Sequence, residues 1–100
     1  MTKAELSEVA IEDEPDGQLV LRLVTVMAPI STDEIAAAGA FEGRGRLLPD
    51  AIVCLLARRG FVTRRLLPGS RVRDVYVVNP TARGEAWAEA ALKEYVNDYP

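Results

Sequence analysis

Eight arginines fall between Gly43 and Arg73: Arg44, Arg46, Arg58, Arg59, Arg64, Arg65, Arg71 and Arg73. A guanidinium stays charged at neutral pH and pairs bidentately with phosphate or carboxylate, so this cluster points to anion recognition. The rest of the chain is acidic. Met1 to Glu42 holds two basic and nine acidic residues, a balance of −7, and Asp74 to Pro100 has a balance of −3. The arginine stretch contains one acid, Asp50, and reaches +7. A net charge of −3 over 100 residues therefore conceals a basic middle. An Arg-preferring composition explains Arg in place of Lys, but not the clustering.

Other chemistries lack their residues. There is no His, and Cys54 is the single cysteine, so Ser-His-Asp and Cys-His catalysis have no general base. A disulfide within the chain is impossible, and a thiolate or imidazole metal cluster lacks its ligands; no cofactor is expected. Cys54 lies in the apolar run Ala51–Ala57 and reads as a buried, inert thiol. Gly43-Arg44-Gly45 lacks the remainder of either nucleotide-binding pattern, so the chain is not expected to be an enzyme. The longest apolar stretch, Leu19 to Ile30, is broken by Arg22 and Thr25, too short and too interrupted for a membrane span. The opening Met-Thr-Lys-Ala-Glu is not a basic-then-apolar leader. The composition suits a reducing cytoplasm.

These residues need elements to hold them. Residues 1–16, with Glu5, Glu8, Glu12, Asp13, Glu14 and Asp16, read as a mobile acidic arm ahead of a domain over 17–100. Leu19, Leu23 and Met27 recur at helical spacing over 18–28, with Asp16 as a cap and Pro29 as a stop. Ser31-Thr32-Asp33-Glu34 is a capping box opening a two-turn helix that Gly39 closes. Glu42–Arg46 reads as a flexible basic connector. Pro49 starts a third helix with Ile52, Val53, Leu55 and Leu56 as its buried stripe, and Gly60 ends it. Phe61–Leu66 and Arg71–Val78 form a hairpin around Leu67-Pro68-Gly69-Ser70. Asn79-Pro80-Thr81 leads into a last helix, from Ala82 to about Asn97. Its apolar stripe is Ala88, Ala91, Leu92, Tyr95, Val96 and Tyr99, with Trp87 at the edge.

Three stretches together resemble the winged helix-turn-helix domain of small MarR- and PadR-like bacterial regulators. Ile35–Arg59 looks like the helix-turn-helix, with a longer turn over Gly39–Leu48. Leu56-Ala57-Arg58-Arg59-Gly60-Phe61-Val62-Thr63-Arg64 looks like the passage from recognition helix into wing. Tyr76-Val77-Val78-Asn79-Pro80-Thr81-Ala82-Arg83-Gly84 resembles the second wing strand and the threonine-x-x-glycine that opens the next helix, with Asn79-Pro80 in place of a leucine. The resemblance covers roughly residues 18 to 98. It implies an α+β fold with a three-helix core, a two-stranded wing hairpin and a long C-terminal helix.

It also implies a partner, double-stranded DNA, and a use in transcriptional regulation. Carried over, Arg44 and Arg46 precede the recognition helix, while Arg64, Arg65, Arg71 and Arg73 surround the wing tip, placed to meet phosphates or a narrow minor groove. Arg58 and Arg59 fit dipole neutralisation or pairing with the acids of the first two helices. The third helix offers few base-reading side chains: Asp50, Ala51, Cys54 and Ala57 are its outward positions. Backbone contacts with a steep salt dependence are therefore expected. The last helix raises two arrangements for Trp87, Leu92, Tyr95 and Tyr99: packing on the first helix, or pairing across a two-fold axis in a homodimer, as in the resembled regulators. Winged helices also bind proteins, so an adaptor or inhibitor, bacterial or phage-encoded, stands as the alternative. Its acidic arm would dock a basic partner or cover the chain's own arginines.

Overall fold

The computed structural model describes residues 10–38, 48–69 and 74–98, and these form an α+β arrangement of helices around a small antiparallel sheet. Helix α1 spans Pro15–Met27. Pro15 occupies the first turn, where its missing N–H costs nothing, and Glu14 takes the cap position in extended backbone without a side-chain bond. The cap expected from Asp16 is therefore absent. Gly17, Val20, Leu21 and Val24 form the buried stripe, and Ala28, preceding Pro29, leaves helical backbone at ψ 144°.

The described part of the segment expected as an arm, residues 10–16, is folded against the helices. Ile11–Asp13 is a 3-10 turn folded onto α1, with Ile11 only 1% exposed. Gly17 permits this seat, since a Cβ there would lie 1.8 Å from the Ile11 carbonyl oxygen. One isoleucine in an acidic segment gives no periodicity, which is why the sequence hides it.

Strand β1, Ile30–Ser31, leads into helix α2, Thr32–Ala37. The expected capping box is present: Ser31 Oγ accepts from the Glu34 amide at 3.1 Å, and Glu34 Oε1 accepts from the Ser31 amide at 3.3 Å. Gly39 and the connector 42–46 lie outside the described residues. Helix α3, Pro49–Arg58, buries the expected Ile52, Val53, Leu55 and Leu56. Gly60, at φ 81°, reverses the chain in the left-handed region, and its amide donates to the Ala57 carbonyl at 3.1 Å.

Strands β2, Val62–Leu66, and β3, Tyr76–Pro80, form the hairpin, with Leu66 opposite Tyr76 and Val62 opposite Pro80. The second strand was expected from Arg71; it begins at Tyr76. Pairing extends one step past Leu66, where the Leu67 amide donates to the Val75 carbonyl at 2.8 Å. Residues 70–73 lie outside the described residues. The sheet also has a third strand that the hairpin expectation omitted: β1 pairs with β3 through Ile30↔Val78 and Ser31↔Val77, giving the order β1-β3-β2. Asn79 and Pro80 belong to β3 and not to a helix start.

Helix α4, Ala82–Asp98, matches its expected span. Thr81 links it to the preceding elements. Its Oγ1 accepts from the Gly84 amide at 3.2 Å and donates to the Gly60 carbonyl at 2.6 Å. Gly84 allows the close approach of α4 to the chain just ahead of β2, because a Cβ there would sit 2.2 Å from the Phe61 carbonyl oxygen. The threonine-x-x-glycine thus does two physical jobs, capping and contact. The core gathers Ile11, α1, Ile30, Ile35, α3, Phe61, Val62 and Val78. No helix among the described residues is long and apolar enough to cross a membrane.

Candidate nucleic-acid interface

Six arginines were expected at the DNA surface. Arg64 and Arg65 are described; Arg44, Arg46, Arg71 and Arg73 lie outside the described residues. Both described arginines are exposed on β2, beside the Leu67-Pro68-Gly69 turn, where Gly69 takes φ 92°. Strand alternation sends them to opposite faces of the sheet. Arg64 shares a face with Val62, and its guanidinium lies over the Tyr76 ring, 4.6 Å from the centroid. Stacking of this kind fixes a long side chain without removing its charge from solvent. Arg65 projects from the other face, opposite Val77. The pair straddles the strand and does not form one flat patch.

At the end of α3 the two neighbouring arginines part company. Arg58 is exposed. Arg59 turns inward to Glu12 of the 3-10 turn: its Nε donates to both carboxylate oxygens, at 3.0 and 3.1 Å, and a terminal nitrogen closes on Oε1. Glu12 is 7% exposed. The hydrogen bond from Arg59 holds its carboxyl below the usual carboxylate range against the opposing effect of burial, and the charges of Arg59 and Arg83 add to it. The Arg59 guanidinium is held above its ordinary value by the same bond. Pairing with an acid was expected for this arginine, but the acid comes from the segment read as a free arm. Arg83, in the first turn of α4, lies over the Phe61 ring at 4.4 Å. No sequence signal singled out Glu12 or Arg83, since their partners lie far away along the chain.

On α3, Asp50 and Arg58 are exposed and Ala51 and Cys54 half-buried, while Ala57, expected outward, packs against the core. Cys54 is half-buried, between the buried thiol and the outward helix position that the sequence suggested for it. Among the described residues, no three Cys, Asp or Glu side chains gather as a metal site would require.

Of the expected dimer residues, Trp87 is half-buried against the core of its own chain. Leu92 is 62% exposed. The Tyr95 side chain and Tyr99 lie outside what is described. Leu92 borders a groove of about 550 Å³ between α1 and α4, lined also by Val26, Ala88 and Ala91, with Arg22 on the α1 side and Glu85 and Glu89 on the α4 side.

Comparison with protein-family models, with curated proteins and with solved structures finds no match to this chain.

Proposed function

We propose that this chain is a winged-helix protein that binds double-stranded DNA through its hairpin and serves transcriptional regulation. The observation that carries the reading is the pair of exposed arginines on β2, next to the Pro68-Gly69 turn, within the one stretch of the sequence that is strongly basic. The order of helix, capped helix, helix, hairpin and long helix supports it. Arg64 and Arg65, straddling the strand, suit a wing that meets phosphates on both sides, and Arg44, Arg46, Arg71 and Arg73 are the further arginines of the same basic stretch of sequence. With Asp50, Ala51 and Cys54 on the open side of α3, base reading is poor, and binding rests on backbone and shape.

The protein acts as a homodimer in this reading. The α1/α4 groove leaves Val26 83% exposed beside Leu92. The groove is flanked by Arg22 on α1 and by Glu85 and Glu89 on α4, and a two-fold pairing over it would be isologous. Arg65→Glu with Arg71→Glu should abolish duplex binding while circular dichroism stays unchanged; retained affinity removes the wing from the interface. The second reading, a protein-binding adaptor or inhibitor on the same scaffold, draws on the scarcity of base-reading side chains along α3, where Asp50 and Arg58 are the exposed positions. A folded protein that ignores duplex DNA at low salt would favour it.

A further inference from the structure

We propose that the outer edge of β2 is an acceptor for an extended acidic segment of a partner protein, which adds to the sheet as a fourth, antiparallel strand. The register defines the edge. The Leu67 amide bonds to the Val75 carbonyl and the Thr81 amide to the Phe61 carbonyl, so the odd-numbered residues of β2 exchange hydrogen bonds with β3. Arg64 and Leu66 therefore turn their N–H and C=O groups away from β3. Among the described residues no strand lies beyond β2, because the sheet order is β1-β3-β2. Both residues are exposed, Leu66 by 50%.

The side chains select the occupant. Two copies of this edge paired antiparallel bring arginine against arginine, and like charges directly opposite oppose pairing. An incoming antiparallel strand that reads apolar-acid-acid sets its apolar residue against Leu66, and its two carboxylates against Arg65 and Arg64 on opposite faces. Backbone bonds then supply affinity and the two guanidinium groups supply specificity. The proposal is independent of DNA binding, although both ligands would use the same arginines.

The test is amide hydrogen exchange by NMR on the full chain, with a terminally blocked Thr/Val-rich peptide of about eight residues carrying Val-Glu-Glu at its centre. The expected result is about tenfold slower exchange at Arg64 and Leu66 at saturating peptide, with little change at Thr63 and Arg65, whose amides already bond to β3. A Val-Lys-Lys peptide should give no protection, and Arg64→Glu with Arg65→Glu should reverse the preference between the two peptides. Protection centred elsewhere, equal protection by both peptides, or no change at millimolar peptide would each overturn the proposal. No DNA is present, so a failure here leaves the DNA reading intact.

Discussion

Replacing Ile11 with Ala removes three carbon atoms from a side chain that is 1% exposed and lies between the 3-10 turn, α1 and α3. The lost transfer free energy is about 2.4 kcal/mol, at roughly 0.8 kcal/mol per buried carbon. The residual cavity adds to this, and buried Ile→Ala changes fall between about 2 and 5 kcal/mol, so about 3 kcal/mol is expected here. For a domain of this size, such a loss lowers Tm by roughly 12–24 °C. Urea denaturation followed by circular dichroism reads it directly, with a lower midpoint at an unchanged slope. Ile11→Val should cost only about 1 kcal/mol, which separates packing from any local backbone effect. A loss below about 0.5 kcal/mol, typical of a surface change, would mean that this segment does not belong to the core.

Glu12→Gln should destabilise the protein near neutral pH but not in acid. Because Glu12 titrates below its ordinary 4.5 in the folded chain, its contribution is full above that pH and fades as pH falls through the lower folded value. Urea midpoints of the two proteins should converge as pH falls through that lowered folded value; a gap that persists or widens in acid contradicts the ion-pair account. Thr81→Ala should cost about 1 kcal/mol, since it removes the cap on Gly84 as well as the bond to Gly60. Thermal melts check this, and an unchanged Tm would remove Thr81 as the link between α4 and the end of α3. In duplex binding, Arg58→Ala should matter less than Arg65→Glu, and the reverse order in an anisotropy titration would move the interface from the wing to the end of α3.

Much of this fold is written in short-range patterns. The α2 start is legible because Ser31 and Glu34 satisfy each other's amides within one turn. The α3 stripe is equally local, and so is the Gly60 reversal, which needs only a residue tolerant of positive φ. What escapes the sequence depends on distant partners. Glu12 is one acid of the arm among others until Arg59, 47 residues later, folds against it. Strand β1 has two residues, too few for any alternation, and exists only because Val77 and Val78 arrive beside it. The arginine cluster was visible as composition, and the sheet register adds what composition could not: Arg64 and Arg65 take opposite faces, while Arg59 is already engaged within the chain.

The proposed DNA interface is tested most directly by fluorescence anisotropy of a labelled random-sequence duplex, titrated with the wild-type protein at about 50 and about 200 mM salt. Four to six arginine–phosphate contacts predict micromolar binding at the lower salt that weakens roughly a hundred- to a thousandfold at the higher. No binding at low salt, or an affinity indifferent to salt, would contradict a DNA-binding wing.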